Sequence, residues 1–429
     1  MLVGLFIALL ALIFIGVPVV VAIGVVALGG IFALPGLAPV EFPRRMFAAV
    51  DSFSLLALPY FILAGELMVR GGMSRRLVEF AETLVGHLRG GLGHATVLAN
   101  MIFANVTGSS VASTSAIGSL MAPEMKARGY KGGFIASLAA CSGVIGAIIP
   151  PSMVMVVYGA MAGVSIGGLF LGGFLPGLLI TGLLMLVVKL HGYHPDFPEI
   201  RATTGAFSLA KVAETLPRVW VAVLAPVIIL GGIMTGVFTA TEAGVVACFY
   251  SLIISMFVYR SVTVRDLPRI LLTSAVTTTV VLGIIAVAGA LGWLLTYLNF
   301  TEIVGGWLLG VSSKGWVVLL TLIALMLVLT MFIESLAVLI ILTPLIVKIG
   351  ATFALDPIYL GILVVIATQI GATTPPVAVC LFVGTSIAGC RYDETIRSCW
   401  PFIAALLAAL LAVFLWPPLS TFIPNTFLK

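Results

Sequence analysis

The sequence predicts an all-α, polytopic membrane protein. Of its 429 residues, 61% are hydrophobic and only 9% are charged, and the mean hydropathy is +1.27. Apolar runs of about 20 residues recur along the chain, and each is long enough to cross a hydrocarbon core of about 30 Å as a helix. The runs are continuous and do not alternate apolar with polar residues, which excludes a transmembrane β-barrel.

Regular apolar runs predict simple membrane segments, and two less regular runs lie between them. The first run has no basic n-region and no small-residue cleavage site, so we expect residues 2–31 to be retained as the first helix. The irregular runs are 92–123 and 315–347. The simple segments are predicted at 2–31, 51–70, 133–165, 168–190, 219–238, 240–260, 270–298, 358–388 and 400–423.

Charged residues and cysteines exclude two other classes of site. The formal net charge is +5, but the Lys and Arg residues lie between apolar runs. This placement is the positive-inside signal of membrane topology, and it does not indicate a nucleic-acid-binding surface. The five cysteines are scattered and show no metal-ligand spacing, so we interpret them as small buried apolar residues.

Basic residues flank segment 92–123 on both sides, which a single spanning helix does not explain. They are Arg70, Arg75, Arg76 and Arg89 before the segment, and Lys126, Arg128 and Lys131 after it. A hairpin that enters and leaves on one side keeps both clusters in the cytoplasm. At 1.5 Å per residue, about 30 residues suffice for two half-spans. The sequence therefore predicts a re-entrant hairpin that breaks near Thr107–Ser110, within ANVTGSSVASTSAIG (104–118).

The second half of the chain repeats the pattern of the first half from the opposite side of the membrane. Both halves run as span, surface helix, hairpin, span and span. The stretches IGAIIPPSMVMVVYG (145–159) and IGATTPPVAVCLFVG (370–384) share their Gly and Pro-Pro positions. We predict one inverted repeat over 1–200, a cytoplasmic loop and connecting helix over 201–239, and a second repeat over 240–429. Such repeats with Pro-interrupted helices are typical of secondary transporters, whose site lies at the membrane midplane.

Segment 72–90 is predicted to lie on the cytoplasmic membrane surface as an amphipathic helix. Its predicted apolar face consists of Met73, Leu77, Phe80, Ala81, Leu84 and Leu88. The basic loops place the N-terminus of the chain inside and its C-terminus outside. Arg44 and Arg45 are the exception, because they fall in a short outer loop with Glu41.

Polar residues and prolines converge on the predicted breaks. Pro150–Pro151 and Pro375–Pro376 remove backbone donors and free carbonyl oxygens, which in a membrane must line a protein cavity. Hydroxyl and carbonyl oxygens without a nearby carboxylate suit Na⁺, and half-helix N-termini favour an anionic substrate. The candidate Na⁺ ligands are Thr107, Gly108, Ser109, Gly143, Gly371, Thr373 and Pro375. The candidate substrate-binding residues are Asn105, Ser109, Ser110, Pro151, Ser152, Glu334 and Thr374.

Several polar residues of the membrane segments have a structural interpretation instead. Small hydroxyl residues are enriched where membrane helices pack closely, and this role is favoured for Ser113, Ser115 and Ser119. Glu66 is expected to pair with Arg70, one turn away. Glu242 is expected to cap the helix that begins near residue 240. For Glu334, a role in the site and a structural role are both retained.

Six blocks of the sequence resemble, in order, the large membrane subunit of tripartite ATP-independent periplasmic (TRAP) transporters. The blocks are LPYFILAGELMVRGG (58–72), LANMIFANVTGSSVASTSAIGSLMAPEMKARGY (98–130), IPPSMVMVVYG (149–159), GIMTGVFTATEAGVVACFY (232–250), LTMFIESLAVLIILTPL (329–345) and IGATTPPVAVCLF (370–382). The resemblance implies a Na⁺-coupled importer of the bacterial inner membrane that works as an elevator. It also implies three partners: a small four-helix membrane subunit, a soluble periplasmic binding protein, and an organic acid such as a C4-dicarboxylate or sialic acid.

The chain departs from the family pattern at a few positions. Ser113–Thr114 stand where an acidic residue is expected in the first hairpin, and Asn105 replaces a smaller residue. Lys348 and Ala240 each stand where proline is usual. Two of these departures lie near the first hairpin tip, so they affect the residues that would contact ion or substrate.

Other functions are weaker interpretations of the same residues. The alternative is a stand-alone Na⁺-coupled anion transporter of the same architecture that needs no binding protein. An intramembrane enzyme would need a nucleophile with its base, or a set of metal ligands, and the membrane segments show neither pattern. The sequence also lacks a Walker motif and the charged or carbonyl rings of a channel filter.

Overall fold

The computed structural model describes residues 1–194 and 207–428, in which helices are joined by short loops and no described residue forms a β-strand. The all-α fold class is therefore confirmed. The helices of the first half are α1 (Leu2–Phe14), α2 (Val19–Phe32), α3 (Glu41–Val50), α4 (Ala57–Arg70), α5 (Met73–Val85), α6 (Gly91–Thr107), α7 (Ser110–Ala127), α8 (Gly132–Gly143), α9 (Met153–Ala162) and α10 (Ile166–His191). The start of the predicted cytoplasmic loop, 201–206, lies outside the described residues.

The second half contains ten further helices. They are α11 (Leu209–Met234), α12 (Ala240–Ile253), α13 (Leu267–Tyr297), α14 (Phe300–Val311), α15 (Gly315–Thr330), α16 (Ser335–Thr352), α17 (Pro357–Gly371), α18 (Val379–Ala388), α19 (Tyr392–Leu415) and α20 (Pro418–Phe427). Helix α11 is bent by 62° next to Pro217, because a proline inside a helix removes one backbone hydrogen bond.

Among the described residues, six helical segments are long and apolar enough to cross a membrane. They are Phe53–Arg70, Ile166–His191, Ala240–Val258, Leu267–Tyr297, Ser335–Thr352 and Tyr392–Leu415. Helix α11 passes the same test only as a bent pair. Several shorter apolar helices come in pairs separated by breaks that contain Gly or Pro, among them α1 and α2, α8 and α9, and α17 and α18.

The first predicted segment, 2–31, is wrong as a single helix. It forms α1 and α2, separated by residues 15–18. Gly16 adopts a φ of +92°, which an L side chain rarely tolerates, and Pro18 cannot continue the hydrogen bonds of α1. The apolar composition carried no sign of this break, and only the Gly and Pro could have predicted it.

Arg44 and Arg45, predicted in a short outer connection, belong to the short helix α3 between α2 and α4; the side of the membrane on which they lie stays a prediction. The Glu41 carboxylate pairs with both guanidinium groups at 3.1 Å. Arg45 also lies 4.2 Å above the ring of Trp293 on α13, which is a cation–π distance. The ion pairs lie within the short amphipathic helix, and the contact with Trp293 joins it to α13.

Two local predictions for charged residues are confirmed. Glu66 and Arg70 form an ion pair at 2.5 Å. Thr239 and Glu242 form a capping box at the start of α12. Of the predicted apolar face of segment 72–90, α5 buries Met73, Leu77, Phe80 and Ala81, whereas Leu88 lies beyond its end and is exposed. Its place on the membrane surface stays a prediction.

Two helical hairpins occupy the irregular apolar runs. In the first, α6 ends at Gly108, which has a φ of +60°, and α7 begins after Ser109. The break therefore lies within the predicted range Thr107–Ser110. In the second, α15 and α16 are separated by residues 331–334.

Each hairpin tip contacts the proline-interrupted helix of its own half. The Pro150–Pro151 and Pro375–Pro376 peptide bonds are cis. The Met153 backbone N–H, which follows the first pair, donates to Gly108 O at 3.2 Å. In the second half, the Val377 N–H donates to Met331 O at 3.3 Å. Each break thus donates a hydrogen bond to a backbone carbonyl of its hairpin tip. Such carbonyls need a partner because no water is available in the interior of a membrane.

The helices form two packing groups, which contact each other directly through α13 and α16 and through α4 and α6, as well as through α5 and α14. The hairpins pack against α8 and α17, which also contact α10 and α19. Helix α13 packs on α2, α3 and α4, and α12 lies along α4. Helix α5 contacts α7 and α11, while α14 contacts α13 and α16. This arrangement places both hairpin tips in one group.

Candidate functional site

A cavity of about 270 Å³ lies between the two hairpin tips. It is lined by residues 108–111 of the first hairpin, 330–336 of the second, and parts of both proline-interrupted breaks, including Gln369, Ala372 and 377–380. Ile13 and Val19, on either side of the break between α1 and α2, close one side. Among the described lining residues, none is Lys, Arg or His.

The cavity brings together part of the predicted substrate site. Ser109, Ser110 and Glu334 line it directly. Asn105 does not, because its side-chain amide donates to the carbonyl of Ile102 at 3.1 Å within α6. Thr374 lies outside the lining as well, and its hydroxyl donates to Ile370 O at 2.7 Å.

Pro151 and Ser152 stand behind the first hairpin tip, outside the cavity lining. The Ser152 hydroxyl donates to Ala147 O at 2.5 Å and accepts from Met155 N at 3.3 Å, so it caps α9. A Cβ placed on Gly108 would lie 2.6 Å from Pro151 O. Pro151 and Ser152 therefore pack against the tip of the first hairpin. Glycine at position 108 permits the close approach of Pro151 O, because it has no Cβ.

A chain of side-chain hydrogen bonds crosses the cavity from one tip to the other. The Ser110 hydroxyl donates to Gln369 Oε1 at 2.5 Å. Gln369 Nε2 donates to Ser335 Oγ at 3.3 Å, and Ser335 Oγ donates to Glu334 Oε1 at 3.1 Å. Ser110 and Ser335 are the first residues of α7 and α16, so Gln369 of α17 joins both helix N-termini.

The carboxylate at one end fixes the direction of this chain. Ser335 donates to Glu334 Oε1 and receives the Gln369 amide hydrogen on a lone pair. The Gln369 carbonyl oxygen then faces Ser110 and accepts its proton. Gln369 is only 4% exposed, and both ends of its amide are satisfied, as a buried polar group requires.

The first group of candidate Na⁺ ligands lies at the tip of the first hairpin. Thr107 Oγ1 and Ser113 Oγ are 2.8 Å apart and buried. A Cβ on Gly143 would overlap Thr114 Oγ1 and lie 2.9 Å from Ser110 O. Hydroxyl and carbonyl oxygens of the first hairpin thus lie close to Gly143 of α8. Gly108 and Ser109 form the break of the same hairpin.

The second group lies where the tip of the second hairpin packs on α17. A Cβ on Gly371 would lie 2.6 Å from Leu327 O and overlap Thr330 Oγ1. Thr373 is fully buried, and its hydroxyl donates to the carbonyl four residues earlier at 2.9 Å. A hydroxyl that has donated its proton keeps its lone pairs for a cation. Pro375 follows two residues later, in the cis pair.

Sequence reasoning missed Gln369, Ser335 and Thr330. Gln369 is the clearest omission, because an amide in the apolar run LGILVVIATQIGATTPP (360–376) is expensive in a membrane unless it has partners. That signal was available in the sequence. Ser335 and Thr330 resemble the packing hydroxyls found in many membrane helices, so only the fold could distinguish them.

Comparison with known proteins gives consistent matches over the whole chain. The family described as "Tripartite ATP-independent periplasmic transporter, DctM component" matches residues 6–419. The C4-dicarboxylate TRAP transporter large permease protein DctM of Pseudomonas aeruginosa is 37% identical over 381 residues, which cover 89% of this chain and 88% of that protein. The sialic acid TRAP transporter large permease protein SiaM of Vibrio cholerae is 33% identical over 424 residues, covering 98% and 97%. The 2,3-diketo-L-gulonate TRAP transporter large permease protein YiaN of Escherichia coli is 34% identical over 376 residues, covering 87% of each.

Two solved transporter structures are similar in fold. The YdaH transporter of Alcanivorax borkumensis superposes with a TM-score of 0.63 at 13% identity, covering 89% of this chain and 88% of that chain. MtrF of Neisseria gonorrhoeae superposes with a TM-score of 0.55 at 13% identity, covering 88% and 83%. At this identity the likeness shows the fold alone.

The sequence relatives decide the family, because each matches at more than 30% identity over most of both chains. They are named as transporter permeases, so the chain is a transport protein and not an enzyme. Its apolar helices make it a multi-pass inner-membrane protein. The chain belongs to the DctM component family of the tripartite ATP-independent periplasmic transporters.

Proposed function

We propose that this chain is the Na⁺-coupled subunit that moves an organic acid across the inner membrane. A soluble periplasmic binding protein delivers the acid, and a small membrane subunit completes the complex. The tripartite family supports these partners. Relatives named for C4-dicarboxylates, sialic acid and 2,3-diketo-L-gulonate support an organic acid as substrate.

The observation that carries the proposal is a cavity between two hairpin tips with no basic side chain among its described lining residues. An organic anion in this cavity meets two helix N-termini, whose partial positive charge favours it. It also meets Glu334, whose negative charge disfavours it, and this repulsion is strong where water is excluded. The anion therefore needs another positive charge nearby.

Na⁺ bound at the oxygen clusters beside the tips supplies that charge. We assign these positions to the first-hairpin group (Thr107, Gly108, Ser109, Gly143) and the second group (Gly371, Thr373, Pro375). Each ion lowers the free energy of the bound anion, and by reciprocity the anion tightens Na⁺ binding. This mutual stabilisation is what couples the Na⁺ gradient to uptake.

Movement of the site is proposed to follow the two packing groups. The hairpins with α8 and α17 carry the cavity, while α2–α4 and α11–α13 remain with the small subunit. Helices α5 and α14 join the two groups as arms. The alternative is a stand-alone transporter of the same architecture, which would accept free substrate.

Uptake into proteoliposomes tests the proposal. The vesicles contain this chain with the small subunit encoded beside it, and the cognate binding protein is added with succinate, N-acetylneuraminate or 2,3-diketo-L-gulonate. We expect uptake of at least one acid that requires both an inward Na⁺ gradient and the binding protein. Uptake of free acid without the binding protein would support the stand-alone alternative. Uptake that ignores the gradient would contradict Na⁺ coupling.

Thr373→Val is expected to weaken Na⁺ coupling, because it replaces a candidate ligand oxygen with a methyl group of the same size. Losing one such oxygen should raise the Na⁺ concentration for half-maximal uptake on the order of tenfold. Thr279→Val is the matched control, because Thr279 makes the same kind of bond to Ala275 O at 2.8 Å on an exposed face of α13. Equal Na⁺ dependence of both variants would remove Thr373 from the ion site.

A further inference from the structure

The two hairpin tips differ in charge at corresponding positions. Each second helix begins after a capping side chain: Ser109 accepts from Ala112 N at 3.4 Å, and Glu334 accepts from Ala337 N at 3.0 Å. The neutral Ser109 leaves the partial positive charge of the α7 N-terminus available to a ligand. The Glu334 carboxylate neutralises the equivalent charge of α16.

This asymmetry orients an organic acid in the cavity. Its carboxylate is favoured beside Ser109 and Ser110, where a helix N-terminus and the Ser110 hydroxyl offer positive potential and a donor. The rest of the acid then faces Glu334, which accepts hydrogen bonds and donates none. A second carboxylate at that end would meet a like charge, whereas a hydroxyl group would donate to Glu334.

Gln369 lies between these two ends and offers both kinds of hydrogen bond. Its Oε1 accepts from Ser110 and its Nε2 donates to Ser335. A substrate hydroxyl that gives its one proton to Glu334 keeps two lone pairs, and the Gln369 Nε2 group, which carries two hydrogens, can donate one of them to that oxygen. An acid that takes the Ser110 proton for its carboxylate also frees Gln369 Oε1 to accept from a further hydroxyl of the same acid.

The internal repeat shows that this amide is not needed to build the paired breaks. In the alignment of IGAIIPP with IGATTPP, Gln369 corresponds to Val144, which is fully buried. The first half therefore forms its break and its hairpin contact with an apolar residue at this position. A polar side chain at 369 serves the cavity between the tips, where it adds the one amide among the described lining residues.

We propose that Gln369 is a substrate-contacting specificity residue that selects an organic acid carrying a hydroxyl group near its carboxylate. The acid binds with its carboxylate at the first hairpin tip and its hydroxyl between Gln369 and Glu334. This inference rests on the proposed function, because it places the transported anion in the same cavity.

Matched pairs of acids that differ by one hydroxyl group test the proposal. The pairs are malate and succinate, glycerate and lactate, and gluconate and 2-deoxygluconate. Binding is measured as thermal stabilisation of the purified chain with its small subunit at saturating Na⁺. For at least one pair, we expect the acid with the additional hydroxyl to bind at least tenfold more tightly than its partner.

Gln369→Met then tests the residue, because methionine keeps the length and volume of glutamine but loses the amide. We expect the preference within the pair to fall to less than threefold, mainly through weaker binding of the more hydroxylated acid. Thr279→Val, on the exposed face of α13, should keep the wild-type preference. Equal binding within every pair by the wild type, or no binding of any member, would overturn the hydroxyl selection. A preference that survives Gln369→Met, or an equal loss of both acids, would overturn the role of Gln369.

These binding measurements need no Na⁺ gradient and no binding protein. Their outcome is therefore separate from the uptake experiment on the proposed function. A wild type that shows the hydroxyl preference but no gradient-dependent uptake would contradict Na⁺ coupling and leave the Gln369 assignment standing. Coupled uptake without the preference would support Na⁺ coupling and overturn the Gln369 assignment.

Discussion

Gly371→Ala is expected to reduce Na⁺-driven uptake to less than about one tenth of the wild-type rate. A Cβ at this position would overlap Thr330 Oγ1 and lie 2.6 Å from the backbone oxygen of Leu327. The threonine hydroxyl can rotate, but the backbone oxygen moves only if α15 moves. Such overpacking costs about 1–3 kcal/mol, and each 1.4 kcal/mol corresponds to about a tenfold change in an equilibrium constant.

Gly182→Ala in α10 is the matched control for this substitution. No heavy atom lies within 4 Å of a Cβ placed there, and alanine favours the helix more than glycine does. Its uptake should equal that of the wild type. Thr330→Ala combined with Gly371→Ala removes one of the two clashes and should recover uptake in part. Wild-type uptake by Gly371→Ala alone would show that the tip of the second hairpin is not closely packed in the working protein.

The sequence predicted the hairpin breaks because the residues there have few alternatives. Gly108 takes a positive φ, and each Pro-Pro pair interrupts a helix whatever surrounds it. The break between α1 and α2 was missed because Gly16 and Pro18 lie in an otherwise uniform apolar run. The intrinsic backbone preferences of glycine and proline therefore predict where the helices break.

Side-chain partners were harder to predict than backbone breaks. Asn105 and Thr374 looked equivalent to Ser109 in the sequence, yet both direct their donors to carbonyls of their own helix. A single sequence does not tell whether a polar side chain in a membrane helix bonds locally or across a cavity, because both satisfy the same donors. Gln369 bonds across the cavity to residues 259 and 34 positions away, and only the fold brings them together.

Helix α5 and the first hairpin meet through two carboxyl groups, Glu82 of α5 and Glu124 of α7. The Oε1 atom of Glu82 is buried without a hydrogen-bond partner. Burial, followed by the charge of Glu124, raises the pKa of Glu82 from 4.5 to about 7, although Arg128 opposes the shift. Arg128 itself pairs with Glu124 at 2.9 Å. The contact is therefore favoured when Glu82 is protonated and weakened when it is charged.

The corresponding contact in the second half has a different chemistry. There Lys348 of α16 forms an ion pair with Glu302 of α14. Opposite charges attract each other, so this contact is an ion pair and not a pair of carboxyl groups.

Glu82→Gln is expected to remove a pH dependence of stability between about pH 4.5 and pH 7. In the wild type the folded-state pKa of Glu82 is raised, so its stabilising contribution is fully present below the unfolded pKa of 4.5. It is lost as the pH rises through about 7, because the folded protein must then bury a charged Glu82 carboxylate, and hold it beside the charged Glu124. The wild-type Tm should therefore fall over this window, by on the order of 2 °C more than the Tm of the variant.

Glu79→Gln separates the buried pair from a general effect of charge on α5. Glu79 lies on the same helix, and its ion pair with Arg75 at 3.2 Å is exposed. Its charge contributes least to the raised pKa of Glu82, so this variant should keep most of the wild-type slope of Tm against pH. A slope that persists in Glu82→Gln would mean that other groups titrate in this window. If Glu82→Gln also makes uptake independent of pH over the same range, protonation of Glu82 acts on transport, because α5 contacts both the first hairpin and α11 of the other packing group. A flat Tm with unchanged uptake would confine the pair to stability, since the arm would then tolerate either protonation state during transport.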